Sequence, residues 1–360
     1  MRIAFLVGSM NTKTNGVAAY TKLLSEQLKA IGHTVTTITL NEEKSKSASK
    51  DIYTIEKSSS TLKRFLLLDS TLKKLNPDII SIQFVPYSFH KKGLSFELLI
   101  FSQILKKFNV HLMIHEPWIE ITNRTNTKNK IVSSFQRAIL SRTISIIKPT
   151  LITSTIPHYV KMIGRNSKLL SLFGNIPYQP KLYSDPKNEK ELKCIFFGTF
   201  SLDTNSFVLQ LNWIKQHCLE NNLTPKITLV GDNGIQKANN TQLINTIIGE
   251  GNLLDLGWLG EKEISHLFQT QDLGISRATL KQYGKSGSTM AMLENGLPVL
   301  LRGTEDLKVE NLAIFDYEKQ LIQTSESHNF KMCRFEPKID AVNVHTQKFL
   351  TLVHESLLLS

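Results

Sequence analysis

The chain has 360 residues, 41% of them hydrophobic and 21% charged, which suits two folded domains with their own cores and excludes a disordered chain. Lys and Arg number 43 against 31 Asp and Glu, a formal charge of +12 that favours an anionic partner such as a nucleotide phosphate, a lipid headgroup or a nucleic acid, although a lysine-rich background gives the same surplus. Three scattered cysteines, Cys194, Cys218 and Cys333, exclude a disulfide framework and a zinc cluster, and the absence of any run of about 20 apolar residues excludes a membrane-spanning helix.

In chain order, Ile3–Val7 is a short apolar run closed by Gly8 and Ser9, a pattern that predicts a buried parallel strand, and it is too short for a signal peptide. A cytosolic protein, with the inner face of a membrane as a second possibility, is therefore expected. The pair Asn15-Gly16 breaks the chain before a helix carrying Leu23, Leu24 and Leu28, and the β-branched Thr34–Leu40 follows as a strand. Strand–glycine loop–helix–strand units of this kind require right-handed crossovers and a parallel sheet. Residues 41–60, rich in Ser and Lys, read as a solvated loop. The pattern resumes with a strand at Ile79–Phe84, a helix at Leu98–Lys107, a strand at Val110–Ile114, a helix at Ile131–Ile147 and a strand at Leu151–Ser154.

Prolines and a charged run between Gly174 and Lys193 mark a linker. Beyond it, strands at Cys194–Phe197, Ile227–Val230, Leu253–Leu256, Leu273–Ser276 and Pro298–Leu301 alternate with helices at Phe207–Glu220, Glu263–Gln269 and Met290–Asn295. The expected fold is α/β, with an N-terminal domain at 1–174, a linker at 175–193 and a C-terminal domain at 194–340. Two Rossmann-like domains face across a cleft in this expectation, and a last helix at 341–359 packs back on the first. Ligands of open α/β sheets sit beyond the carboxyl ends of the strands.

Four constellations carry candidate chemistry. Gly8 to Gly16 leads into a helix N-terminus that suits a phosphate, although its spacing is neither a P-loop nor GxGxxG and a plain strand–helix turn fits it too. From Tyr283 to Leu300 the chain reads YGKSGSTMAMLENGLPVL. There Lys285, Ser286, Gly287, Ser288 and Thr289 directly precede an apolar helix, so that capping hydroxyls, free amides and an ammonium can meet a diphosphate; a solvated lysine beside an ordinary cap is the plainer alternative. His115 ends a buried strand, where it either bonds a ligand hydroxyl or caps the turn; Glu116 and Trp118 beside it offer a carboxylate and a stacking face. His90, Lys91 and Lys92, with Arg124, Lys128, Lys130, Arg137, Arg142 and Lys148, lie on or near an amphipathic helix. Its apolar Ile131, Phe135, Ala138, Ile139 and Ile146 are expected to face the core, leaving either a solvated basic face or one that docks anionic lipid. No DxD, HExxH or Cys/His cluster offers a metal site, and no aromatic-interleaved basic motif supports nucleic-acid binding.

The segment ending Asn295-Gly296-Leu297-Pro298-Val299-Leu300 resembles the donor-site motif of retaining GT-B glycosyltransferases, family four in particular. The resemblance runs along the chain. Asn15-Gly16-Val17 is similar to that family's first glycine loop, Gln83 to Gly93 to its second loop, and His115-Glu116 to its histidine loop. Phe197-Gly198-Thr199, Val230-Gly231-Asp232 and Leu256-Gly257-Trp258-Leu259 are similar to its C-domain strand ends. It implies transfer of a sugar from a nucleoside diphosphate sugar, with no bound cofactor or metal, to a glycan, lipid-linked or polysaccharide acceptor. On the same basis His115, Lys285 and Arg277 are assigned to catalysis, with Lys281 a further candidate cation. Gly16, Gly198, Thr199, Gly231, Asp232, Ser286, Gly287, Ser288, Thr289 and Glu294 are assigned to the donor, and Asn15, Tyr87, His90, Glu116 and Trp118 to the acceptor. Two glutamates usual in that motif are replaced by Tyr283 and Ala291, with Glu294 one turn beyond, and the stretch Ser201 to Asn205 lacks the family's basic pair. A non-catalytic protein of the same fold that binds sugar or lipid is the alternative expectation.

Overall fold

The computed structural model describes the chain except residues 13–14, 44–49, 121–125, 181–187, 201–202, 304–314, 326–331 and 360. Arg124, Ser201 and residues 181–187 of the expected linker lie outside the described residues. The chain divides into two compact units, one of residues 1–170 with 343–360, the other of residues 171–342.

The first unit is built from β1 (Arg2–Val7), α1 (Gly16–Ala30), β2 (Thr34–Thr39), β3 (Ile52–Thr54), α2 (Thr61–Leu75), β4 (Ile79–Phe84), α3 (Pro86–Phe89), α4 (Phe96–Leu105), β5 (Val110–Ile114), α5 (Thr127–Ile147), β6 (Leu151–Ser154), α6 (Pro157–Ile163) and β7 (Lys168–Leu169). All pairings are parallel, in the order β3-β2-β1-β4-β5-β6-β7. The apolar runs of β1, β4 and β5 fill its core because both faces of a parallel sheet are covered. Two elements escape the hydrophobic pattern. Strand β3 lies inside the stretch read as a solvated loop, paired along Thr37–Thr39. Helix α2 follows it, capped by Ser60 and buried through Arg64, Leu68 and Leu72.

Helix α5 corrects an expectation. It starts at Thr127 and turns Ser133 and Gln136 inward, where they hold the backbone of Ile119: the Ser133 hydroxyl donates to its carbonyl at 2.6 Å, and Gln136 Oε1 accepts from its amide at 2.8 Å. Ile139, Leu140 and Ile144 stay inside, whereas Ile131, Phe135 and Ala138, expected to face the core, are exposed.

The second unit comprises β8 (Glu191–Thr199), α7 (Thr204–Glu220), β9 (Thr224–Asn233), α8 (Lys237–Ile248), β10 (Leu253–Asp255), α9 (Glu261–Phe268), β11 (Leu273–Ile275), α10 (Gly287–Glu294), β12 (Val299–Leu300) and β13 (Leu321–Ile322). Its sheet is also parallel, in the order β10-β9-β8-β11-β12-β13. Residues 171–176, which the sequence reading splits between first domain and linker, belong to this unit. Helix α11 (Ala341–Leu358) returns to the first unit, where the Tyr20 hydroxyl lies 2.8 Å from His345 Nε2 and Lys168 pairs with Glu355 at 3.0 Å.

Arg334 ties the second unit together. Its guanidinium donates to the carbonyls of Phe268, Gln271 and Asn295 at 2.7, 2.7 and 2.8 Å, joining the chain at and just past the ends of α9 and α10. Arg334→Ala is expected to cost about 1–3 kcal/mol, because three part-buried charge-assisted bonds are lost. A lower midpoint in urea denaturation of the full chain checks this.

Candidate functional site

In both sheets the strand order reverses once, between β1 and β4 and between β8 and β11. Crossovers leave such a point on opposite faces of the sheet, so the loops there part and open a crevice at the carboxyl ends of the strands. Several of the residues named from the sequence lie at these ends.

In the second unit, β8 runs out through Phe197, Gly198 and Thr199 with a register irregularity against β9. Gly198 takes φ +113°, and a methyl group there would stand 3.5 Å from Ser288 Oγ, so the end of β8 meets the first turn of α10. Gly231, at the end of β9, comes beside Gly198. The side chains of Thr199 and Asp232 are exposed at these strand ends. Asn233, which the sequence reading passed over, locks the two ends together. It is fully buried at φ 58°, and its amide nitrogen donates to the carbonyls of Gly198 at 2.9 Å and Val230 at 3.1 Å. The Asn233-Gly234 turn pair was the available signal.

A chain of hydroxyls sets the entry to α10. The Thr289 hydroxyl donates to Ser286 Oγ at 2.8 Å and lies 2.7 Å from Ser276 Oγ, which accepts from the Ala278 amide at 2.9 Å. Ser286 caps the helix by accepting from the Thr289 amide. Thr289 thus spends its side chain on positioning the loop, fully buried. The amides of Gly287 and Ser288 begin the helix, and no intrahelical carbonyl can reach them. Lys285 ends the 3-10 turn directly before this cap, and Arg277 follows Ser276 at the end of β11.

Glu294 is not brought to this cluster. It ends α10, seven residues beyond Gly287 or about 10 Å along the axis. There it is 2% exposed, and its Oε2 accepts from the Gly174 amide at 2.9 Å. Burial pushes its carboxyl up to about 8, against the opposing pull of that amide. The two positions that hold glutamate in the resembled motif are closed as well. Tyr283 is 1% exposed and Ala291 is fully buried. The strip 172–176 lies along α10: a methyl group on Gly174 would stand 2.5 Å from Ala291 Cα, the Asn175 amide donates to the Gly287 carbonyl, and Asn295 Nδ2 donates to the Ile176 carbonyl.

In the first unit, Asn15 caps α1, its side chain accepting from the amides of Val17 and Ala18, and Gly16 opens the helix. Tyr87 and His90 follow β4, both exposed, and His90 Nδ1 accepts from the amides of Lys92 and Leu94. Glu116 is exposed beyond β5. Trp118 packs on the core with the Arg137 guanidinium 5.6 Å from its ring centroid, so one of its stacking faces is already covered.

His115 directly follows β5, 5% exposed, as part of a polar strip between the sheet and the layer of α1 and α11. Its Nε2 donates to Gln83 Oε1 at 2.8 Å, and Gln83 Nε2 donates to Ser81 Oγ at 2.8 Å. The Ser81 hydroxyl donates to His111 Nδ1 at 2.9 Å, and His111 Nε2 donates to Thr153 Oγ1 at 2.8 Å. The Thr153 hydroxyl donates to Met113 Sδ, so neutral His111 carries its proton on Nε2, and His115 carries its own on Nε2 facing the Gln83 oxygen. Tyr20 meets the His115 ring edge-on at 5.2 Å, and Phe349 covers His111 at 5.3 Å. Burial drives both imidazoles down to about 3, so each is neutral at neutral pH. Among the described residues, no group of three or more His, Cys, Asp or Glu is gathered to hold a metal ion.

No protein-family model and no curated protein sequence matches the chain. Solved structures do. Sucrose-phosphate synthase from Thermosynechococcus elongatus aligns over 99% of this chain and 90% of its own at 12% identity, with a TM-score of 0.58. HepE of Anabaena, in complex with UDP and glucose, aligns over 97% and 90% at 14% identity, with a TM-score of 0.55. The chain has the GT-B fold. A UDP-GlcNAc 2-epimerase from Methanocaldococcus jannaschii shares it too, over 98% of this chain and all of its own at 10% identity, with a TM-score of 0.53. The fold is therefore common to transferases and epimerases, and activity has to be argued from the site.

Two outcomes are expected. Because both histidines titrate at about 6.5 when unfolded and about 3 when folded, the unfolded chain takes up protons first as pH falls. The contribution of these two histidines to stability is full above pH 6.5 and is lost towards pH 3, and His115→Gln should reduce the protons taken up on unfolding at pH 5 by about one, measured from the pH dependence of the unfolding free energy. Ala291→Glu, which restores a motif carboxylate, should cost upward of about 3 kcal/mol by burying it against 172–176, read as a lowered melting temperature.

Proposed function

We propose that this protein is a glycosyltransferase that moves a sugar from a nucleoside diphosphate sugar to a glycan, lipid-linked or polysaccharide acceptor. In this reading it retains the anomeric configuration and needs no divalent cation. The supporting observation is the meeting, beside the β8/β11 reversal, of the Gly198 strand end with the first turn of α10, where the Gly287 and Ser288 amides emerge. Backbone without side chains beside helix-start amides is how α/β proteins receive phosphates.

As the bond between the anomeric carbon and the β-phosphate oxygen breaks, its electron pair stays on that oxygen. Lys285, Arg277 and the two amides stabilise the added charge, which is worth most when the donors are fixed beforehand. The acceptor hydroxyl bonds to the anomeric carbon on the face the phosphate leaves, and its proton departs with the phosphate. His115, neutral and held through Nε2 by Gln83, acts as a hydrogen-bond partner of the sugar and not as a cation. In the first unit, Gly16 is proposed as a nucleotide-sugar-binding residue, and Asn15, Tyr87, His90, Glu116 and Trp118 as acceptor-binding residues.

A second reading, a non-catalytic binder of sugar or lipid, is favoured by one observation: Tyr283 and Ala291, where the resembled motif has carboxylates, are both buried. Thermal-shift measurements with UDP, GDP, ADP, CMP and TDP separate the readings, because a ligand of the native state raises its melting temperature. Stabilisation by one nucleotide, followed by its release from the matching nucleotide sugar in the presence of EDTA, is expected. Lys285→Ala should then lower turnover by about 100-fold or more with the circular dichroism spectrum unchanged. Binding without turnover supports the second reading, epimerised sugar without transfer marks an epimerase, and no stabilisation by any nucleotide rejects the donor site.

A further inference from the structure

Helices α2, α4 and α5 form one layer. Each joins strands that advance in the same direction across the sheet, so right-handed connections place all three on one face, and α4 packs beside both α2 and α5. Their N-terminal ends accordingly gather at the carboxyl edge of the strands.

The outer side of this layer is apolar where a solvated face is normally polar. Each helix shows solvent a pair of large side chains four residues apart in its first half: Leu62 and Leu66, Phe96 and Ile100, Ile131 and Phe135. Each of the six is between 46% and 70% exposed. Single exposed apolar residues need no explanation, but three aligned pairs on adjacent helices make a patch.

The charge around the patch has one sign. Across residues 61–75, 96–105 and 127–147 the chain carries eight Lys or Arg and two acids, Asp69 and Glu97. Both acids are taken by cations of the same layer, Asp69 by Lys73 at 2.6 Å and Glu97 by Arg64. Exposed Lys63, Lys128 and Lys130 stand at the same helix starts as the apolar pairs. Lysine is depleted in protein–protein interfaces, whereas apolar side chains ringed by lysine match an anionic membrane surface, with aliphatic stems in the headgroup layer and ammonium groups on the phosphates.

We propose that the α2–α4–α5 face of the first unit docks on an anionic lipid bilayer. The proposal does not depend on glycosyl transfer, and its readout is binding. The full chain is sedimented with phosphatidylcholine vesicles with or without phosphatidylglycerol. Binding is expected only with phosphatidylglycerol, and it should weaken as salt rises. Replacing Phe96, Ile100, Ile131 and Phe135 together by Ser, or making Lys63→Glu, Lys128→Glu and Lys130→Glu, should each weaken it by about tenfold or more with the helical circular dichroism signal unchanged. The lysine variant alters only exposed positions, so it decides the question if the serine variant fails to fold. Absence of wild-type binding, or binding indifferent to the lysine changes, overturns the proposal. A dimer in size-exclusion chromatography that the serine variant dissolves assigns the face to a second copy of the chain and overturns it as well.

Discussion

The placement of α10 governs the second unit. This eight-residue helix is too short to be stable alone, so its position is imposed from outside. At its start, three hydroxyls on Ser276, Thr289 and Ser286 join it to the end of β11. Along its side the 172–176 strip is tied down by the Glu294 carboxyl. At its end the Arg334 guanidinium gathers carbonyls at the ends of two helices. Together these contacts hold two helix-start amides beside the Gly198 strand end. A preorganised pair of donors is what the departure of a phosphate requires.

The first unit solves a different problem. Its sheet has a polar strip, Ser81, Gln83, His111, His115 and Thr153, on a face that α1 and α11 bury. The strip is tolerable because its members donate to one another in a single direction, with no like charges and both imidazoles neutral. That arrangement depends on the last helix of the chain, which supplies Phe349 as a cover over His111. The same unit exposes apolar pairs on its opposite helical layer, so its two faces differ in kind: one packs over a polar network that ends at His115, the other leaves apolar side chains exposed.

The replaced carboxylates show how a motif resemblance is read against packing. In sequence, Tyr283 and Ala291 look like losses from a site. In the fold they are core positions, under a strip of chain that leaves no room for a longer side chain at 291. Glu294, nearest in sequence to the lost pair, serves the same packing from inside. The proposed donor site therefore draws on the positive groups and amides at the other end of α10.

The sequence by itself determined the alternation of apolar strands and helices, the parallel sheets and the strand ends at which glycines, His115 and the Lys285–Thr289 loop occur. These follow from local rules: continuous apolar runs form buried strands, and Gly and Ser/Thr punctuate their ends. Strand β3 and helix α2 were not legible because a three-residue edge strand and a helix with only three buried positions leave little periodic signal. Tertiary structure alone decided that Ile131 and Phe135 face outward, that Asn233 clamps two strand ends and that Glu294 is buried away from the amides. Each depends on a partner distant in sequence: the Ile119 backbone, the Gly198 carbonyl and the Gly174 amide. No periodicity records those partners, because hydrogen bonds between remote segments leave no repeating pattern in either one.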